Sequence, residues 1–129
     1  MVGLSSAMIG SMRSVLIVDD DPAFRTLVRR VLSGTGFSVV GEADTVASGL
    51  AAANELRPDA VLVDVGLPDG DGIALAAELT ALPWRPCVVL TSIDADAATP
   101  REVRRSGANG FTPKDELPNA ALRLLGSSG

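Results

Sequence analysis

Val15-Leu16-Ile17-Val18-Asp19-Asp20-Asp21-Pro22 is the stretch that decides the fold of this chain. Four consecutive branched aliphatic residues bounded by polar ones read as a short strand buried on both faces. The run stops abruptly at three carboxylates. Asp21 followed by Pro22 then has the form of a helix N-cap with proline at the first helical position. Phe24, Leu27, Val28, Val31 and Leu32 follow at helical spacing on one face, and Gly34 and Gly36 end the helix. A buried strand, an acidic turn and an amphipathic helix, in that order, predict one strand–helix unit of an α/β domain.

Working outward, the unit recurs. Phe37 to Ala43 predicts a second strand. Asp44 or Thr45 caps a second helix with Val46, Leu50, Ala53 and Leu56 inward, ending near Pro58. Ala60-Val61-Leu62-Val63 is a third buried strand, with Asp64 at its carboxyl end. Gly66-Leu67-Pro68-Asp69-Gly70-Asp71-Gly72 is turn-rich and leads into a third helix from about Ile73 to Leu82. Cys87 to Leu90 forms strand four, ending at Thr91-Ser92, and Ile93 to Ala98 reads as loop. Thr99-Pro100-Arg101-Glu102 has capping-box spacing and starts helix four near Pro100. Gly110 to Thr112 is strand five, and a last short helix runs through Leu117 to Leu125. Five strands alternating with five helices predict a parallel sheet covered on both faces.

Composition narrows the function. A length of 129 residues favours one domain. Hydrophobic residues make up 47% but aromatics only 3%, so Val, Leu, Ile and Ala must build the core. A net charge of −5 without any Lys/Arg run argues against non-specific nucleic-acid binding. No apolar stretch approaches the ~20 residues of a membrane span. There is no histidine, which excludes a Ser-His-Asp triad, a Cys-His pair and histidine metal ligation. Cys87 is the single cysteine; its apolar run predicts a buried, inert thiol. Residues 1–13 predict a disordered tail without the features of a secretory signal, ahead of a domain over 14–129. Met8 and Met12 are further candidate translation starts.

In a parallel sheet all strand carboxyl ends share one edge, where open α/β sheets bind ligands. Asp19 and Asp20 follow strand one, Asp64 strand three, Thr91 strand four and Lys114 strand five. Of the eleven basic side chains, Lys114 is the one lysine. Three clustered carboxylates repel one another unless a cation sits among them. Oxygen ligands without His or Cys favour a hard ion, Mg²⁺ or Mn²⁺, over zinc. A carboxylate beside such an ion, with an ammonium and a hydroxyl nearby, is a nucleophile for a phosphoryl group. Asp21 reads instead as a helix cap, and Asp69 and Asp71 as turn-formers outside the site. Arg101, Arg104 and Arg105 read as a solvated face.

Four motifs in order carry a resemblance over about Arg13 to Leu125: VLIVDDDP at 15–22, VDVGLPDGDG at 63–72, LTS at 90–92 and GANGFTPK at 107–114. The chain resembles the receiver domains of two-component response regulators. The resemblance implies a flavodoxin-like three-layer sandwich with strand order 2-1-3-4-5. It implies that Asp64 accepts a phosphoryl group and that Asp19, Asp20, Asp64 and the Gly66 backbone carbonyl hold Mg²⁺. Thr91 and Lys114 would stabilise the phosphoryl group, and Thr91 and Phe111 would act as the switch. Implied partners are a sensor histidine kinase or phosphotransfer protein and a downstream protein that reads the face of helix four, strand five and helix five. Direct nucleic-acid or membrane binding is not implied. The implied location is cytoplasmic, and the implied chemistry is limited to the protein's own phosphorylation and dephosphorylation. The other reading of the same residues is a receiver-like module that docks partners without phosphate.

Two features depart from the commonest family pattern. Proline usually follows the family's lysine; here Asp115 follows Lys114 and Pro113 precedes it, as in receivers of the helix-turn-helix class that regulates transcription. With fifteen residues after Lys114, the chain resembles a stand-alone receiver. Gly66 and Ile93 occupy the two positions where family members differ in dephosphorylation rate. One opens the site to water and the other screens it, so the phosphoryl lifetime stays open.

Overall fold

Alternate residues of the central strands point into two separate cores. Val15 and Ile17 pack with Ala60, Leu62, Cys87 and Val89 on one face. Leu16 and Val18 pack with Val61, Val63, Val88 and Leu90 on the other. A strand that is apolar at every position needs cover on both sides, which is what the four-residue runs foretell. The computed structural model describes residues 12–117 and 123–126. Its main sheet consists of β1 (Arg13–Val18), β2 (Phe37–Ala43), β3 (Ala60–Asp64), β4 (Cys87–Ser92) and β5 (Gly110–Pro113). They lie in the order β2-β1-β3-β4-β5 with every pair parallel, the flavodoxin-like order expected.

Helices α1 (Pro22–Leu32), α2 (Val46–Leu56), α3 (Gly72–Thr80) and α4 (Pro100–Ser106) connect the strands. Phe24, Val28 and Leu32 of α1 cover the first core together with Leu117 and Leu125. Leu75, Ala76 and Leu79 of α3 and Ala53 of α2 cover the second. Residues 123–125 are helical where the fifth helix is expected; 118–122, the rest of that expected helix, lie outside the described residues. Among the described residues no helix is long and apolar enough to cross a membrane.

The helix starts follow local chemistry. The Asp21 carboxylate accepts the Ala23 N–H at 3.0 Å, with Pro22 beginning α1. Thr45, rather than Asp44, caps α2 in a reciprocal box with Ser48. Thr99 and Glu102 form the expected box at 2.9 and 3.1 Å.

Several expectations need correction. Arg13 is placed in the tail by sequence, yet it opens β1, which starts two residues ahead of its apolar run because Arg13 and Ser14 pair with Phe37 and Ser38 of β2. The remainder of the expected tail, 1–11, lies outside the described residues. Leu27 is 49% exposed, since the buried stripe of α1 runs strictly through Phe24, Val28 and Leu32. Leu56 is 40% exposed at the end of α2, lying over Gly41 of β2, an edge strand with nothing beyond it to complete the cover. The Gly66–Gly72 turn contains a small antiparallel hairpin, pairing Gly66 with Asp71 and Leu67 with Gly70. Helix α3 therefore starts at Gly72, capped by Asp71, and ends at Thr80.

Cys87 is fully buried, and burial pushes its thiol up from its ordinary value, away from the reactive thiolate.

Candidate functional site

The pleat brings the polar residues to one face of one edge. Asp19 lies two residues beyond Ile17, Asp64 two beyond Leu62 and Thr91 two beyond Val89, so each continues the face that α1 covers. Asp64 and Thr91 are register partners on β3 and β4, and Thr91 is paired in turn with Thr112 on β5. Lys114 follows two residues after Thr112, in a 3₁₀ turn over Lys114–Glu116.

Lys114 is the hub of this edge. Its Nζ lies 2.7 Å from Asp19 Oδ2 and 3.5 Å from Asp64 Oδ2. It also sits 4.2 Å from the centre of the Phe24 ring, whose negative face favours an ammonium. Asp19 is 1% exposed and Asp64 7%, whereas Asp20 is exposed at the mouth. Asp19, Asp20 and Asp64 each offer a carboxylate oxygen within 4.8 Å of the others.

One ammonium among three carboxylates leaves the site short of positive charge. Burial, and after it the charge of Asp19, holds the Asp64 carboxyl above its ordinary value. The Gly66 N–H, at 3.2 Å from Asp64 Oδ1, and Lys114 pull the other way. Asp19 Oδ2 has the Lys114 ion pair but no aligned hydrogen bond, and the buried Thr91 hydroxyl has no hydrogen-bond partner. Leaving buried polar atoms unmatched costs stability, and such atoms mark a place built for another group. All-oxygen donors and three carboxylates sharing one ammonium fit a hard divalent cation such as Mg²⁺.

Phe111 is not part of this cluster. It sits on the opposite face of β5 with the second core, lining a hollow of ≈ 480 Å³ with Ala95, Ala98, Pro100, Val103 and Arg104.

Two contributors to the geometry were not read from sequence as such. Arg25 of α1 donates from Nη1 to the Asp19 carbonyl at 2.6 Å and from Nε to Glu42 of β2 at 2.8 Å. Arg29 pairs with the same glutamate, whose carboxyl is held below its ordinary value by Arg29 foremost. The available signal was two arginines one helical turn apart facing a glutamate on the neighbouring strand. Asp69 does more than form a turn. It accepts the Val46 and Ala47 N–H groups at 2.7 and 3.1 Å, tying the hairpin after Asp64 to the start of α2. Those N–H groups lower its carboxyl below the ordinary value.

Residues 15–125 match the family of the response regulator receiver domain. The chain belongs to that family. It is 39% identical over 106 residues to the DNA-binding transcriptional activator DevR/DosR of Mycobacterium tuberculosis, covering 81% of this chain and 48% of that protein. It is 37% identical over 115 residues to the virulence-factor transcription regulator BvgA of Bordetella pertussis, covering 86% of this chain and 55% of that one. The chain thus spans about half the length of these relatives. Among solved structures it is similar to the signal receiver domain of NarL from Mycobacterium tuberculosis, with TM-score 0.76, 32% identity and coverage of 88% and 92%. The BeF₃-activated receiver domain of RstA from Klebsiella pneumoniae gives TM-score 0.74, 28% identity and coverage of 87% and 94%. A receiver domain with an acidic cluster and a bridging lysine at the sheet edge is a signal-transducing module.

Proposed function

We propose that this receiver takes up a phosphoryl group on Asp64 in a Mg²⁺-dependent reaction and thereby switches a partner-binding face. The observation that carries this reading is the convergence on Asp64 of the Lys114 ammonium and the partnerless Thr91 hydroxyl. An Asp64 carboxylate oxygen attacks phosphorus, and the bond from phosphorus to the donor nitrogen or oxygen breaks. The electron pair leaves with the donor. Bound Mg²⁺, held by Asp19, Asp20, Asp64 and the Gly66 carbonyl, would supply charge neutralisation at the phosphoryl oxygens. Lys114 pairs with those oxygens from its place beside Asp19 and Asp64. Thr91 finds in them the acceptor that its hydroxyl lacks. As Thr91 moves toward the phosphoryl group, Phe111 on the opposite face of β5 turns inward, altering the hollow against α4 that partners read. The chemistry is modification of the protein itself, and the reading places the chain in the cytoplasm.

Incubation with acetyl phosphate and Mg²⁺, resolved on a phosphate-affinity gel, tests this. A retarded band is expected for the wild type and none for Asp64→Asn. Absence of the band, or its survival in Asp64→Asn, overturns the reading.

The physiological donor in this reading is a phosphorylated histidine on another protein. Beside Lys114 lies a hollow of ≈ 480 Å³ lined by Phe24, Leu27, Ile93, Asp21 and Asp115. Leu27 and Ile93 on its rim are 49% and 87% exposed, an apolar border that suits a protein surface better than a small donor. Ile93→Glu is expected to slow transfer from a phosphohistidine protein about tenfold, roughly 1.4 kcal/mol for replacing an apolar interface contact with a buried charge. Uptake from acetyl phosphate should stay within about threefold of wild type, since ~0.6 kcal/mol is the most a screened surface charge contributes here. Equal slowing with both donors would remove the docking role.

A further inference from the structure

We propose that Arg25 is the positioning residue of the acidic turn: its guanidinium, anchored on Glu42, holds the Asp19 carbonyl and so fixes the direction in which Asp19 and Asp20 present their carboxylates. The inference rests on the reading of that cluster as a divalent-cation site.

Adjacent residues of an extended strand point to opposite faces. Asp19 and Asp20 can serve one ion only because β1 ends at Val18 and the chain bends at Asp20. The peptide plane joining the two aspartates therefore decides whether their carboxylates converge. The carbonyl of that plane belongs to Asp19, and Arg25 Nη1 donates to it at 2.6 Å. The other ties on the turn act on either side of this plane. The Asp19 N–H donates to the Ala43 carbonyl at 2.9 Å, and the Asp21 N–H donates to Asp19 Oδ1 at 2.9 Å.

Arg25 is itself fixed at both ends. Its backbone N–H joins the first turn of α1, and its Nε is held by Glu42 on β2. Glu42 also takes Arg29, so its carboxylate is braced from two positions of the same helix. A planar fork with one arm on a carboxylate and the other on a carbonyl transmits direction as well as charge, which a lysine cannot do. The elements joined by this one side chain are α1, β2 and the end of β1.

Charge and position predict opposite signs. Removing a cation near a metal site strengthens Mg²⁺ binding, by no more than about threefold for a guanidinium whose charge is already offset by the Glu42 carboxylate. Losing a group that orients ligands weakens it, by about tenfold or more. Isothermal titration of the full chain with MgCl₂ distinguishes them, with Arg25→Gln, Arg25→Lys and Glu42→Gln compared with wild type. Circular dichroism checks that each variant is folded. Both Arg25 variants are expected to bind Mg²⁺ at least fivefold more weakly, Arg25→Lys included although its charge is kept. Glu42→Gln is expected to weaken binding less than the Arg25 variants, because it loosens the fork without removing it, but by more than the about threefold that loss of its own negative charge accounts for, and on that margin it carries the test should the Arg25 variants not fold. Tighter binding by Arg25→Gln, binding within twofold of wild type by Arg25→Lys, or binding within threefold by Glu42→Gln overturns the role of Arg25. Absence of Mg²⁺ binding by the wild type instead overturns the cation site itself.

Discussion

Lys114→Met is expected to destabilise the metal-free protein by about 3 kcal/mol, the loss that follows when one partner of a buried ion pair is removed. Methionine keeps most of the aliphatic stem and its contact with Phe24, so the change isolates the ammonium. What remains is Asp19, 1% exposed, beside Asp64, 7% exposed, with no cation between them. The size of the loss should depend on pH. Burial and Asp19 already raise the Asp64 carboxyl, which means that the folded protein binds this proton more tightly than the unfolded chain. Such a group favours folding at low pH and opposes it as pH rises through and above its ordinary value of 3.8. Without Lys114 the effect grows, so the deficit relative to wild type should narrow between pH 7 and pH 5. Magnesium should narrow it too, because carboxylates freed of the Lys114 ammonium bind the cation more tightly, and the same Mg²⁺ concentration then stabilises the variant more than wild type. Urea unfolding in EDTA and in MgCl₂, at both pH values, measures this directly. A variant as stable as wild type, or a deficit indifferent to both pH and magnesium, would show that the three carboxylates do not share one field.

How far the sequence reached depends on whether a signal is local. The β2 bounds, the Thr99–Glu102 capping box and the Asp21 cap were legible because each is set by side chain and backbone within a few residues. The meeting of Asp19, Asp20, Asp64 and Lys114 was legible for a different reason: once the strands are parallel, topology alone places their ends together. Apolar spacing did not separate Leu27 from Val28, because one residue is only about 100° of helix and the choice is made by how α1 sits on the sheet. Nor did it show that Leu56 would overhang, which follows from β2 being the edge strand. The Arg25 bond to the Asp19 carbonyl and the Asp69 tie to α2 depend on side-chain direction across separate elements. Periodicity carries no information about either.

Gly66, which opens the hairpin after Asp64, and Gly72, which begins α3, should respond to replacement in opposite ways. A Cβ built on Gly72 would lie 2.0 Å from the Asp64 carbonyl oxygen and 2.8 Å from the Asp64 carbonyl carbon and the Val65 Cα. These are backbone atoms of β3 and of the turn that leaves it, so no side chain can swing away to relieve the clash. Either α3 withdraws or Asp64 does. Gly72 also donates its N–H to the Val65 carbonyl at 2.9 Å, so withdrawal breaks the bond that closes the hairpin. Gly72→Ala is therefore expected to cost about 3 kcal/mol, the upper part of the range for overpacking against a rigid neighbour. A Cβ on Gly66 meets nothing within 4 Å, and Gly66→Ala should change stability by no more than about 0.5 kcal/mol. Thermal unfolding of the two variants side by side separates steric need from a general preference for glycine in turns. If both alanines were equally tolerated, the close approach of α3 to the Asp64 backbone would be wrong. If both were equally damaging, the cause would be turn conformation rather than contact. The expected asymmetry ties Asp64 to α3 through the backbone, so a helix that carries no residue of the acidic cluster still sets where its central carboxylate stands.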